Sequence, residues 1–379
     1  MKILLVTGSY PPMRCGVGDY TYNLAKALHA DPKNIVGILS SSLSGLANQT
    51  DGFKVFPVIK AWKFKEVLTV IKIIHRWSPD IVHIQYPTQG YKDGFLPWIL
   101  PMLAFLMGKR VVQTWHEGYN RSDAPKLFLK SVIPSNLVFV RPNFKKENLH
   151  WMLRWAIWCK SFFFIPNASS IPCSKISSYE KEIIKKKFLR DQKRLVVFFG
   201  FVYPAKGVEF IFDIADPIYD QIIIAGEITV DDNYAKNIKS LAESKLWQGK
   251  TTITGYLPAS DIADLLSVAD VVILPFRGNG GGSWNTSIHG AVLNGAFVIT
   301  TSQTQNGYDK KSNVYYSKVD NIEEMQSALA SYAGKRREYQ AGIDTDEWQK
   351  VASSHVELYA SQLHSNCGAS RFFVGWWSL

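Results

Sequence analysis

LPFRGNGGGSWNTSIHGAVLNGAFVITT, residues 274–301, reads as the end of a strand, a glycine-rich loop, a helix and a second strand. The first strand closes near Pro275-Phe276, and the loop carries Gly278, Gly280, Gly281 and Gly282. A helix is expected to begin between Ser283 and Thr286 and to stop by Gly295, since glycine commonly follows the last helical turn. Phe297-Val298-Ile299 opens the next strand. Glycines ahead of a helix let the backbone approach a ligand, and the free N–H groups of the first turn attract anions. A phosphate or a sugar suits such an end. Strand–loop–helix units are common, so the meaning of this one rests on the chain around it.

Immediately upstream, Thr251–Thr254 is a strand ending in Gly255-Tyr256, and Pro258 to Asp261 caps a helix running to Val268. Further back, Arg194–Phe199 is a strand followed by GFVYPAKGVEFIFDIA, in which Gly200 and Lys206-Gly207 occupy a strand-to-helix loop. Gln221–Ala225 is another strand, and helical patterns cover 322–332 and 348–363. The first half of the chain has the same grammar. Ile3–Val6 is a continuous apolar run, as in a parallel strand covered on both faces. Gly16-Val17-Gly18 then precedes an amphipathic helix. These glycines stand about ten residues beyond the strand, and Thr21 holds the third glycine position, so a dinucleotide fingerprint is rejected. Further strands are expected at 35–39, 55–58, 80–86, 110–117, 136–140 and 162–165, with a helix over 62–77. Alternating strands and helices indicate parallel sheets, hence an α/β protein. The polar, basic run Ser174–Lys193 is read as the junction between two domains.

The 379 residues suffice for two such domains, and a 46% hydrophobic content supplies their cores. Four scattered cysteines lack metal-ligand spacing and suggest a reducing, cytoplasmic compartment. The net charge of +11, with 12 Trp, points to an anionic partner. No nucleic-acid-binding motif occurs, which leaves an anionic substrate or an anionic membrane surface. The basic aromatic helix 62–77 reads first as a solvated helix packed on a sheet and the tail with Phe372, Phe373, Trp376 and Trp377 as docking on the first domain; lipid contact is the alternative for both and for the apolar run Phe95–Met107. Phe95–Met107 is too short to span a bilayer and reads first as a buried helix. His116 ends a strand, where ligands of open parallel sheets bind; His83 lies mid-strand and reads as a packing residue.

Five segments in order, SYPPMRCGVGDYTYNLAKAL, DIVHIQY, VVQTWHEGY, FFGFVYPAKGVEFI and TGYLPASDIADLLSVADVVILPF, resemble the family 4 glycosyltransferases of the GT-B fold. The resemblance implies two facing Rossmann-like domains: an acceptor-binding domain over 1–172, a nucleotide-sugar-binding domain over 173–345, and a C-terminal helix and tail over 346–379 that return to the first. It implies a retaining, metal-independent transferase using a nucleotide-diphosphate sugar, with a glycan or lipid-linked acceptor and a role in cell-surface polysaccharide biosynthesis at the inner face of the membrane. Lys206 matches the lysine that holds the donor diphosphate. His116 matches a histidine near the transferred sugar, Gly16-Val17-Gly18 a loop approaching donor and acceptor, and Tyr256-Leu257 the segment whose backbone meets the nucleobase. Glu117 is a further acidic candidate.

The chain also departs from that pattern. Phe201 follows Gly200 where the family has arginine, and the family's paired glutamates are missing from the glycine loop and its helix. The chain looks closer to a subset lacking them. Arg277, Asn279, Gly280, Gly281, Gly282, Ser283, Asn285, Thr286 and His289 are the replacements on hand: Arg277 for the diphosphate, Ser283 and Thr286 for phosphate at the helix start, His289 for the ribose. The departures motivate a competing reading, a nucleotide-sugar-binding subunit without chemistry. An epimerase of similar fold is disfavoured, since its acidic and histidine constellation is not visible.

Overall fold

The computed structural model describes residues 1–44, 52–117, 124–141, 150–158, 160–228, 233–278, 281–282, 285–336 and 347–364. The chain forms two compact units, one from Met1–Asn167 joined by the helix from Trp348 onward, the other from Ala168–Glu347. The first contains strands β1 (Lys2–Val6), β2 (Ile35–Ser41), β3 (Lys54–Ile59), β4 (Ile81–Tyr86), β5 (Arg110–Trp115), β6 (Asn136–Phe139) and β7 (Phe162–Phe164). Helices α1 (Gly16–His29), α2 (Val67–Trp77), α3 (Leu96–Leu106), α4 (Ala124–Ser131) and α5 (Trp151–Ala156) alternate with them. The sheet order is β3-β2-β1-β4-β5-β6-β7, parallel throughout. Ile3, Leu4, Leu5 and Val6 are all fully buried, as an apolar run sandwiched between helix layers should be. Each such side chain contributes about 1.5–3 kcal/mol relative to exposure.

The second unit contains α6 (Ser178–Leu189), β8 (Arg194–Phe199), α7 (Ile211–Ile214), β9 (Asp220–Ala225), α8 (Asn233–Glu243), β10 (Thr251–Ile253) and α9 (Ala259–Val268). It continues with β11 (Val271–Leu274), α10 (Thr286–Leu293), β12 (Val298–Thr301), β13 (Gly307–Asp309), β14 (Val314–Ser317) and α11 (Ile322–Tyr332). Its sheet runs β10-β9-β8-β11-β12-β14-β13, and only β13 is antiparallel. The last helix, α12 (Glu347–His364), packs in the first unit, where Val351, Ala352, Leu358 and Tyr359 are buried.

Two readings change. The basic run Ser174–Lys193 falls inside the second unit and forms α6, nucleated by a capping box between Ser177 and Glu180. Ile184, Phe188 and Leu189 pack on the core, and Lys185 pairs with Asp270 at 2.6 Å. The helix expected from Trp62 starts at Val67 after a tight turn over Phe64–Glu66; Trp62 is buried and donates its indole N–H to Ser41 Oγ at 2.8 Å. Phe95–Met107 is a packed helix with Leu96, Leu100 and Ala104 inward. The C-terminal tail lies outside the described residues. No described helix is long and apolar enough to cross a membrane.

A polar chain threads the first unit's core. His83 bonds through Nδ1 to Tyr359 Oη at 2.6 Å and through Nε2 to Thr114 Oγ1 at 2.7 Å. Gln85 Nε2 lies 3.2 Å from His83 Nε2, and Gln85 Oε1 lies 2.9 Å from His116 Nε2. His355 packs beside His83, with ring centroids 5.4 Å apart. Burial pushes all three imidazoles down: His83 well below the usual range, His116 to about 3 and His355 to about 4. The folded chain therefore keeps them neutral where the unfolded chain takes up protons. Their stabilising contribution is complete above the ordinary histidine value near 6.5 and is lost as pH falls below it. The urea midpoint is expected to drop between pH 7.5 and 5.5. In His355→Phe, which removes an imidazole whose Nε2 has no partner among the described residues, the loss is expected to flatten by up to about 1.4 kcal/mol per pH unit. An unchanged slope would refute the neutral buried state.

Candidate functional site

In the second sheet β8 lies between β9 and β11, so the winding direction reverses there. The loops leaving β8 and β11 begin side by side at the carboxyl edge, where ligands of open α/β sheets bind. The two loops are joined through backbone. Arg277 N–H donates to Ala205 O at 3.0 Å. Gly207 has φ 62° and ψ 31°, and a Cβ there would stand 2.2 Å from Pro275 O. Only glycine meets both conditions.

That junction sets the cations. Lys206 closes a tight turn over Pro204–Lys206, and its Nζ lies 4.5 Å from the Phe276 ring centroid and 5.7 Å from that of Tyr203. Arg277, one residue past Phe276, pairs with Glu209 at 2.5 Å and lies over the Phe210 ring at 4.5 Å. Glu209 also accepts from the Tyr234 hydroxyl, which in turn accepts from Val208 N–H at 2.8 Å. Phe201, where the resemblance calls for arginine, is 37% exposed. Lys206 is thus flanked by aromatic faces, and Arg277 has a carboxylate partner.

The glycine loop then turns into α10. Gly281 N–H donates to Thr301 O at 2.7 Å, anchoring the loop to β12, and Gly281 and Gly282 are buried. Asn285 caps the helix: its side chain accepts from Ser287 N–H at 2.9 Å. Thr286 is the first helical residue, and His289 comes one turn on, half-buried. Asn279, Gly280 and Ser283 lie outside the described residues. Gly200 begins the β8 loop, with φ 116°. Tyr256 and Leu257 come after β10, two strands away on the same carboxyl edge; Tyr256 is 50% exposed and Leu257 packs on the core. Among the described residues no three His, Cys, Asp or Glu side chains group to hold a metal ion.

The first unit repeats the arrangement. β1 lies between β2 and β4, and Gly90 N–H from the β4 loop donates to Ser9 Oγ in the β1 loop at 2.7 Å. Gly16, Val17 and Gly18 form the first turn of α1, whose start Cys15 leaves without a side-chain cap. A Cβ on Gly16 would meet nothing, so this turn is open. His116 comes directly after β5; it is buried, with Nε2 committed to Gln85 and Tyr20 edge-on at 4.7 Å. Glu117, next to it, is exposed. Asp19, in the same turn as Gly16–Gly18, has its carboxyl pushed up to about 6 by burial.

Residues 193–333 match the family model described as glycosyl transferases group 1. Across the whole chain the fold is similar to a glycosyltransferase from Rickettsia africae ESF-5, with a TM-score of 0.68, 15% identity and coverage of 96% of this chain and 99% of that one. It is also similar to sucrose-phosphate synthase from Thermosynechococcus elongatus, with a TM-score of 0.65, 13% identity and coverage of 96% and 98%. HepE from Anabaena in complex with UDP gives a TM-score of 0.64, 14% identity and coverage of 96% and 98%. None of the curated proteins compared matches the chain. The two doubly wound sheets are those of the GT-B fold. Within the second unit, Glu209 and Asn285 are the residues that sequence reading left without a role. Asn285 was visible as a good cap ahead of a helix; Glu209 was not, since its partner lies 68 positions away.

Gly207→Ala tests the junction. We expect it to cost about 1–3 kcal/mol, since it combines a left-handed backbone with a clash against Pro275 O. Gly16→Ala, with open space at its Cβ, should stay within about 0.5 kcal/mol of wild type. Thermal unfolding of the two variants distinguishes them, and equal stabilities would contradict the close approach.

Proposed function

We propose that the chain transfers a glycosyl group from a nucleotide-diphosphate sugar to a glycan or lipid-linked acceptor, with retention and without a metal ion, in the synthesis of a cell-surface polysaccharide on the cytoplasmic side of the membrane. The observation that supports this most is the joined pair of loops at the switch point of the second sheet, which brings Lys206 beside the loop that leads into α10. A departing diphosphate carries charge that an ammonium and free helical N–H groups stabilise as it develops. The bond between the anomeric carbon and the diphosphate oxygen breaks as the acceptor hydroxyl attacks the same face. The acceptor proton passes to the departing phosphate oxygen. Lys206 neutralises the diphosphate, Thr286 and the first turn of α10 bind its oxygens, and the Tyr256-Leu257 backbone meets the base. His116 orients a sugar hydroxyl through Nδ1, since its Nε2 is held by Gln85.

One observation favours a second reading, a donor-binding subunit without turnover: the charge of Arg277 is balanced by Glu209, and Phe201 adds none. Both readings require donor binding, and only the first requires that the bound donor be consumed. A thermal-shift series with UDP-, GDP-, ADP- and dTDP-sugars identifies the donor, because a ligand that binds only the folded state raises its stability. With that donor, Lys206→Ala is expected to lower the rate of transfer or of donor hydrolysis by on the order of a hundredfold, with an unchanged unfolding temperature in the absence of donor. Full activity in the variant would sink the role of Lys206. Binding without turnover by the wild-type chain would favour the second reading.

A further inference from the structure

The helix α5 is built inside out for a water-facing element. Leu153 and Ile157 point inward, at most 1% exposed, against Trp115, Leu127, Leu137 and Phe139. The helical turn continues past Ala156, since Ile157 N–H donates to Leu153 O and Trp158 N–H to Trp155 O. Spacings of four and three residues then put Trp151, Trp155 and Trp158 along the opposite stripe. They are 66%, 66% and 74% exposed. An ordinary surface helix turns polar residues to water. Phe128 of the neighbouring α4 stacks on Trp155 at 6.1 Å and 16°, and Val132, just beyond α4, is 46% exposed. The apolar stripe therefore widens onto a second helix, and contiguous exposed apolar surface marks an interaction site.

Charge selects the partner. Among the described residues of 127–160 every Lys, Arg, Asp or Glu is basic: Lys130, Arg141, Arg154 and Lys160. Lys130 is buried, whereas Arg154 is exposed within the tryptophan turn. Indole rings combine an apolar body with one N–H donor and settle at the headgroup level of bilayers, where basic side chains meet anionic lipid. A second copy of the chain would bring the same positive segment against itself, which an isologous contact does not tolerate well. A helix of six residues is far too short to cross a bilayer. We infer that the α4–α5 face docks the first unit onto the headgroup zone of an anionic bilayer. The face differs from the α2 surface, where Trp62 is buried and only Phe64 and Leu68 stand out among the apolar side chains. The inference is independent of the transfer reaction.

The test uses the full chain and flotation with vesicles of phosphatidylcholine alone or with about one-third phosphatidylglycerol. The wild type is expected to float with the anionic vesicles and to be released by salt. The triple variant Trp151→Ser, Trp155→Ser, Trp158→Ser should lose at least about tenfold in partitioning. Arg154→Glu should weaken binding to the anionic vesicles, and Phe64→Ser with Leu68→Ser should leave it unchanged. Nucleotide-sugar binding should be the same in all of them, which separates this outcome from failure of the donor assignment. Should the triple variant not fold, Trp158→Cys carrying an environment-sensitive fluorophore reads the same contact, and its emission should shift to the blue on anionic vesicles. The inference is overturned if the wild type stays with neither vesicle, or if a folded triple variant floats as well as wild type. It is equally overturned if the label's emission does not change, or if the stripe instead drives dimerisation or retention on a soluble polysaccharide without vesicle binding.

Discussion

The Pro275 carbonyl oxygen occupies the space that a side chain at position 207 would need. That single close approach ties the loop after β8 to the loop after β11, and the rest of the second unit's carboxyl edge is set by it. With the loops in contact, Lys206 rests beside Phe276, Arg277 reaches Glu209, and the glycine segment is aimed into the start of α10. The first unit arrives at the same solution with different residues: a Cβ on Gly90 would collide with Gly8 O, and the loops after β1 and β4 are fastened by Ser9. Both units therefore meet one demand of a doubly wound sheet. Where the winding reverses, two loops leave neighbouring strands without a helix between them and must pack backbone to backbone.

Electrostatics at the second unit's edge are uneven. Lys206 has aromatic rings beside its ammonium, and their faces favour a cation there. Arg277 is held by Glu209, itself tied to Tyr234, so its guanidinium is positioned by a carboxylate that also cancels its charge. For an incoming anion, Arg277 adds to the field at this edge only if Glu209 gives way. Phe201 contributes shape where a second cation would contribute charge.

Much of the fold was legible because buried parallel strands write themselves as unbroken apolar runs. Ile3–Val6, Leu195–Phe199 and Val271–Leu274 needed no partner to be recognised, and Gly295, with φ 76°, closes α10 as its type foretold. The elements that escaped notice are short or polar. β13 and β14 span three and four residues, and α8 is a polar helix that buries only Ala235, Ile238 and Ala242. The stretch Ser174–Lys193 misled because a helix that fully buries no side chain has the composition of a linker. In the site, residue types near the strand ends were readable; their pairings were not. Glu209 with Arg277 and Asn285 as the cap of α10 depend on how loops distant in sequence come to rest.

The histidine of the first unit carries the same lesson to the level of a single proton. Gln85 faces His83 with its amide nitrogen, so His83 Nε2 must accept, and Thr114 Oγ1 donates to the same atom. His83 then carries its proton on Nδ1, directed at Tyr359. Gln85 Oε1 is left to accept, which requires the proton of His116 to be on Nε2. Only Nδ1 of His116 keeps a lone pair, and burial keeps the ring neutral, so the atom left for any ligand is an acceptor. That assignment follows from the orientation of the Gln85 amide, and Tyr359, on a helix that returns to the first unit after the second is complete, accepts at the far end of the chain of bonds. α12 thus does more than cover a core: its Tyr359 hydroxyl accepts the hydrogen bond from the proton that His83 carries on Nδ1.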